Sequence, residues 1–577
     1  MDPLETNPPV PSIEETILRG IILLEQNDVK AARKVFEDAI TLAPDRADLL
    51  HFSGVALLRS GEVQAGIDRM VQSLSAPGGS ERSDFFLNLG AALRQLNQSE
   101  SAFRVLDDAV ARFPNDAAMR RSAGGAAMDI QSFEAARAHF LHATEIDPNQ
   151  AEYWSNLGHA NRQLNDHENA LIAFRTAAGL TPDDAAAWNN VGVTLKELGR
   201  LDEAIICYQD LLSKAPNQPP VLYNLANAYT DARQYAAAAE ACEHLLMIDP
   251  DHVAAHVQLA FSYLNIGRYQ DGFREYDWRF KAPGFPAPPY QLETPPWDGS
   301  PLNGKRILLI SEQGFGDTLQ FIRYAPMVKA AGGTVIVECH TPLAPLLRGQ
   351  PGIDAVVPRS HIESGGSVTF DCHIHTMSLP GVFNTTPTTM PNACPYLHVP
   401  PFAKGKFHSV EALQSSDLKV GLVWQGSQAN PNDSVRSLPP QHLATLLDTP
   451  GVQWVSLNKR DADDERPNNG LPSNAVDLSD AIENFADSAA IIDALDAVIA
   501  VDTAVGHLAG AMGKPVFVIL PYNPDWRWAK HDHIPDDQSA WYPTMHLFRK
   551  DAPNDWQAPI ERCKAALRNL MTGLAKP

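Results

Sequence analysis

Two hydrophobic rhythms divide the chain. The first is a repeat: placing residues 151–184 over 185–218 superimposes Trp154 on Trp188, Gly158 on Gly192, Ala170 on Ala204, Phe174 on Tyr208 and Pro182 on Pro216, a period of 34 residues. The register runs forward through Leu222, Ala226, Tyr229, Ala238 and Pro250, and backward through Gly124, Ala136, Phe140 and Pro148, then Gly90, Ala102 and Pro114. Looser units start near residues 13 and 47, and a short insertion at 78–82 shifts the frame by two. Eight units result, the last starting near residue 253 and running into YDWRF. The stretch KAPGFPAPPYQLETPPWDGSP follows, with seven prolines in 21 residues, and proline cannot continue helical stacking. Beyond it short, continuously apolar runs alternate with helical spacing, the pattern of parallel strands buried on both faces. These runs are 306–311, 334–338, 419–425, 454–458, 497–502 and 515–520, in two groups that meet at YLHVPPFAKGK.

Small residues at fixed places and large apolar ones between them, at this period, resemble the tetratricopeptide repeat, in which each unit is a helical hairpin stacked on its neighbours. The expected architecture is an α-solenoid of about eight repeats over 13–280, a proline-rich connector over 281–303, and an α/β region of two Rossmann-like lobes over 304–400 and 418–577. A solenoid of this type offers its inner surface to a polypeptide. The sixth residue of successive units is Asn88, Asn156, Asn190 and Asn224, with Gln258 in the last and an interruption at Ser122. An amide both donates and accepts, so such a ladder can pair with the backbone of an extended peptide whatever its side chains. The alternative role is contact between helices. The arrangement resembles the groove of the O-GlcNAc transferases, which feeds a protein acceptor to a glycosyltransferase.

Charge narrows the partners. With 46 Lys and Arg against 69 Asp and Glu, a net −23 opposes nonspecific binding to nucleic acid or anionic lipid. MDPLETNPPVPS has neither the basic nor the apolar region of a signal peptide, and no stretch approaches the roughly 18 apolar residues of a membrane helix, so a cytoplasmic protein without a membrane span is expected. The six cysteines form no C-x-x-C pair, which favours reduced thiols. Cys372, His373 and His375 lie close together, but only the two histidines share a strand face and no third ligand is evident, so no metal is expected.

Candidate chemistry sits where strands end, as ligands of an open parallel sheet do. After the first strand comes EQGFGDTL, with Gly314, Gly316 and Asp317; Leu319 stands where G-x-G-x-x-G needs its third glycine, so this is a poor dinucleotide site. The two glycines are expected to let the chain turn tightly and to clear space at the cleft. In the second group, Gln425 and Ser427, Lys459, Asp502 with Thr503, and Asn523 follow successive strands. Thr503, Ala504 and His507 open a helix whose free amides and positive dipole end suit a phosphate. Arg436 could reach such a phosphate in bidentate fashion. Trp526, Arg527, Trp528, Trp541 and Tyr542 read as pocket walls or as packing between lobes.

The segments GFGDTLQFIRYAP, VGLVWQGS, DAVIAVDTAVGHLAGAMGKPVFVILP, DWRW and WYPTMHLFRK resemble the C-terminal domain of bacterial tetratricopeptide glycosyltransferases related to the ADP-heptose lipopolysaccharide heptosyltransferases, over roughly 270–570. That resemblance implies a GT-B fold without a bound metal or cofactor, its nucleotide-sugar donor held by the second lobe and its acceptor by the first; Gln425, Ser427, Arg436, Lys459, Asp502, Thr503, Ala504 and His507, read from their positions and from the charge of the leaving nucleotide, are the donor-side candidates. It also implies that Asp317 is the general base. Some relatives of this layout modify flagellin with a nonulosonic acid from its CMP-activated form. The function expected is therefore transfer of a sugar to Ser or Thr of a protein recruited by the repeats. The alternatives are a glycan or lipid-linked acceptor, and a non-catalytic adaptor with a degenerate transferase domain.

Overall fold

The structure, a computed structural model, describes residues 12–285, 292–427, 430, 433–459, 471 and 475–574. Part of the proline-rich stretch lies outside the described residues. The chain divides into two compact units, Met1–Pro216 and Asn217–Pro577.

The first unit carries twelve helices among its described residues, from Ile13–Glu25 to Leu201–Lys214. Each hairpin closes on a residue in the left-handed region: Asn27, Gly61, Asn97, Gln131, Asn165 and Gly199. Glycine and asparagine adopt that conformation at little cost, which explains five of the six choices. The step from 61 to 97 is two residues longer than the others, and the short 3₁₀ turn Gly79–Glu81 accommodates it. The small residue at each crossing has a steric reason. A methyl group at Gly158 would come within 2.7 Å of the Phe174 ring, and one at Gly124 within 2.6 Å of Phe140. Ala102, Ala136, Ala170 and Ala204, each one period apart, are fully buried.

The second unit begins with four more helices, Pro219–Asp231, Tyr235–Ile248, Val253–Asn265 and Tyr269–Tyr276. Their turns use Arg233 and Gly267, again with positive φ. Among the described residues ten strands follow: β1 (Arg306–Ile310), β2 (Thr334–Cys339), β3 (Ala355–Pro358), β4 (Cys372–His375), β5 (Leu418–Val423), β6 (Val452–Ser456), β7 (Val476–Asp477), β8 (Ala497–Val501), β9 (Val516–Leu520) and β10 (Met545–Arg549). They form two sheets, ordered β3-β2-β1-β4 and β10-β9-β8-β5-β6-β7, parallel throughout. All six runs expected from sequence are strands. The six runs did not include β3, whose residues are at most half buried, the four-residue β4, the two-residue β7, or β10.

In each sheet the chain reverses its direction of growth once: between β1 and β4 in the first, between β5 and β8 in the second. Crevices open at the carboxyl ends of such switch points. One apolar cluster includes Leu309 of the first sheet, Val498 of the second, and Leu264, Tyr269 and Phe273 of the last helical hairpin. The end of the proline-rich stretch packs on the edge of the first sheet, where the Trp297 amide donates to the His373 carbonyl at 2.7 Å.

Candidate functional site

The loop after β1 and the loop after β9 meet. Asp317, third residue of the helix Phe315–Phe321, accepts the Gly314 amide on Oδ2 at 2.8 Å and Nη2 of Arg527 on Oδ1 at 2.6 Å. Arg527 also donates Nη1 to Oδ1 of Asp525 at 2.7 Å. Burial works against the Arg527 cation, but the Asp525 and Asp317 charges outweigh it and hold its pKa above the ordinary value. Burial pushes the Asp525 carboxyl up. The ring of Trp526 lies beneath the guanidinium at 4.7 Å.

Beside this ion-pair chain sits the start of the helix Ala504–Ala511. Asp502 and Thr503 precede it at the end of β8, and its fourth residue, His507, is buried. His507 turns Nε2 toward Asp502 Oδ1 at 3.8 Å, bonds Tyr542 Oη through Nδ1 at 2.9 Å and stacks on Trp528. Burial pushes the Asp502 carboxyl up, and His507, Trp528 and Arg527 together reverse this and hold it below the usual range. The two loops touch through Gly316: a methyl group there would come within 3.0 Å of the His507 ring and 3.6 Å of Ala504 Cα. The expected tight turn at Gly314 and Gly316 falls instead on Gln313, whose φ is 55°. Gly316 serves close approach, since any side chain would push the two helix starts apart.

The remaining strand-end residues divide. Arg436 donates Nη1 to the Asp502 carbonyl at 3.1 Å, and its guanidinium lies over Gly426, where a Cβ would collide with it. Gln425 is half buried and its amide is tied to Asn458 Oδ1 at 2.9 Å, whereas Ser427 is exposed. Lys459 donates to the Ile482 carbonyl. Thr503 occupies the N-cap position, but its hydroxyl donates to the Val501 carbonyl at 3.2 Å rather than accepting from the helix. Asn523, read from sequence as a strand-end ligand, is engaged by the helical hairpins: it accepts Tyr235 Oη at 2.6 Å and donates to the Thr230 carbonyl at 3.2 Å.

Sequence reading missed a second ion pair at the same loop. Arg279, just beyond the last helix, donates Nε and Nη2 to the two carboxylate oxygens of Glu312, both at 2.8 Å, and both side chains are almost wholly buried. Tyr276 packs against the guanidinium, accepts from Gln313 at 3.1 Å, and is pushed by burial up to about 12. His375, 4.0 Å from Glu312, is pushed down to about 3 by burial and the Arg279 charge. The signal in sequence was the pairing of an acid in the glycine loop with the arginine of YDWRF, which only the fold joins. Among the described residues no group of three or more His, Cys, Asp or Glu could hold a metal ion.

The amides of the expected ladder have differing surroundings. In the first unit Asn88 Nδ2 lies 3.1 Å from Nε2 of the buried His51, and Asn156 lines a cavity of about 340 Å³ with Arg94, Arg121, Asp129, Glu152 and His159. The backbone carbonyl of Asn190 accepts the Thr194 hydroxyl at 2.8 Å. In the second unit Gln258 donates to Thr230 Oγ1, and Asn224 lies on the helix Pro219–Asp231. Asn88 and Gln258 thus already bond within the repeats.

The described chain is a series of helical hairpins followed by an α/β region of parallel sheets, and tetratricopeptide repeats are recognised over part of the hairpins. The family profile "Tetratricopeptide repeat" matches residues 17–71, 87–151 and 155–219, and the profile "Anaphase-promoting complex, cyclosome, subunit 3" matches 197–278. Protein FlbA of Caulobacter vibrioides (strain ATCC 19089 / CIP 103742 / CB 15) is 27% identical over 370 residues, which are 60% of this chain and 61% of that protein. The chain thus spans about 61% of the length of the curated relative it matches. Among solved structures, YrrB, a TPR protein with an unusual peptide-binding site, aligns at 22% identity over 32% of this chain and 95% of its own, with a TM-score of 0.29. The C-terminal part of a TPR repeat-containing protein from Cytophaga hutchinsonii aligns at 18% identity over 42% and 99%, with a TM-score of 0.37. No helix among the described residues is long and apolar enough to cross a membrane.

Proposed function

We propose that the chain is a protein O-glycosyltransferase of the GT-B type, moving a sugar from a nucleotide-sugar donor to Ser or Thr of a protein that the repeats recruit. The observation that carries this reading is the meeting of two switch-point loops from separate parallel sheets, one bearing Asp317, the other Asp502, His507 and a helix start. In the reaction the acceptor oxygen bonds to the anomeric carbon, the nucleotide departs with the electron pair of the breaking C–O bond, and the hydroxyl proton passes to a base. Asp317 is the proposed base: each of its oxygens accepts one hydrogen bond and retains a lone pair. Arg436 and the amides of the helix Ala504–Ala511 are the proposed counter-charge for the leaving nucleotide, with Gln425, Ser427, Lys459 and Thr503 around it. The resemblance to flagellin-modifying transferases makes flagellin and a CMP-linked nonulosonic acid of the pseudaminic type the first pair to test.

Titration calorimetry of the full chain against CMP-, UDP-, GDP- and ADP-sugars tests donor binding, and intact-mass analysis of co-purified proteins from cells with and without the chain identifies acceptor and sugar. Asp317→Asn is expected to abolish the mass increment while donor binding persists; full transfer by that variant removes Asp317 from the mechanism. The second reading is a non-catalytic adaptor, favoured by the pairing of Asp317 with Arg527. No donor binding by the wild type would establish it over the first.

A further inference from the structure

We propose that the last two repeat hairpins are a working part of the α/β region: they hold the 521–531 loop and, through Arg527, set the position of the Asp317 carboxylate. What Asp317 then does rests on the transferase reading; the coupling itself does not.

The helices between residues 219 and 276 grip both walls of the site. On the β9 side, Tyr235 Oη and the Thr230 carbonyl hold the Asn523 amide, Arg233 lies over the Tyr522 ring at 5.0 Å, and Tyr269 Oη meets Nε2 of His531 at 3.2 Å. Tyr269 and Phe273 also stand edge-on to Trp526. These contacts bracket Arg527, which reaches across to Asp317. On the β1 side, Tyr276 and Arg279 hold Gln313 and Glu312, four and five residues before Asp317.

The physical consequence follows from what an ion pair needs. A guanidinium on a mobile loop loses its geometric hold on a carboxylate, because ordering two side chains then costs what the pair gains. Fixing the loop against rigid helices removes that cost, as supporting contacts do for a preorganised site. Tyr235 and Arg527 are therefore positioning residues.

Hydrogen–deuterium exchange of the full chain tests this in the wild type, Tyr235→Phe, Asn523→Ala and Arg527→Gln, with Arg94→Ala as a remote control. Tyr235→Phe and Asn523→Ala are expected to speed exchange about threefold or more in peptides covering both 521–531 and 313–318, and Arg527→Gln in 313–318. Arg94→Ala should change neither. A rise confined to 521–531, or none in either segment, overturns the coupling. In a transfer assay Tyr235→Phe should lower kcat about tenfold with donor KM within about twofold, because a displaced carboxylate slows chemistry rather than binding. Unchanged kcat overturns the link to catalysis. The exchange result decides the coupling whether or not the wild type transfers sugar, and failure of the wild type to transfer counts against the transferase reading alone.

Discussion

Arginine–carboxylate pairs occur in both units but do different work. Along the first unit Arg94 pairs with Asp129 and Arg162 with Glu197, each joining the first helices of consecutive repeats, and all four side chains keep a quarter or more of their surface in water. In the second unit Arg279 and Glu312 keep 4% and 1%, and Arg527 keeps 9%. Solvent screens the first kind, so it contributes little. The second kind has surrendered its hydration, so each partner depends on the other. Repetition tolerates the loss of one exposed pair; the loops after β1 and β9 have no second copy.

The largest expected effect comes from breaking the buried pair. Arg279→Ala leaves Glu312 charged and unpaired in the interior, and should lower stability by about 3–5 kcal/mol, read from the urea midpoint of the transition reported by the tryptophans of the α/β region. The double variant Arg279→Met with Glu312→Leu should recover most of that loss. If Arg279→Ala costs no more than an exposed pair, the contrast between the two regions fails.

A smaller effect depends on pH. His375 is pushed down to about 3, whereas in the unfolded chain it titrates near 6.5. Between those values the unfolded state binds the extra proton, so stability falls as pH falls, by about 1.4 kcal/mol per pH unit from this group. His51 and His340, each pushed down to about 4 by burial, add to the same trend. Replacing His375 with Gln should therefore flatten stability against pH between about 6.5 and 4, relative to the wild type. Parallel curves for the two proteins would mean that His375 is not held neutral.

The smallest effect belongs to the solenoid. Arg94→Ala should cost less than about 1 kcal/mol, and raising salt should shrink the difference further. A cost of several kcal/mol would make the exposed pairs of the repeats resemble the buried pairs of the α/β region.

Repetition made the first half of the molecule readable. Gly158 and Phe174, Gly192 and Tyr208 recur one period apart, and each contact lies within a hairpin, so local spacing already contains it. The six central strands were legible for a related reason: residues buried on both faces are apolar without interruption, whereas β3 and β7 lie away from the centre of their sheets, with only partly buried residues or too few residues to show a pattern. The loop residues Asp317 and Asp502 are legible by the same logic, since they follow such strands.

Their partners were not. Asp317 and Arg527 are 210 residues apart, Arg279 and Glu312 belong to segments of different character, and Asn523 was assigned to a ligand although Tyr235 engages it. By itself the sequence determined which residues sit at strand ends and which hairpins stack, since both depend on neighbours within about one repeat. Which charges face each other, and which lose their water, was decided by the tertiary structure, because pairing and burial depend on loops brought together only after the sheets have formed.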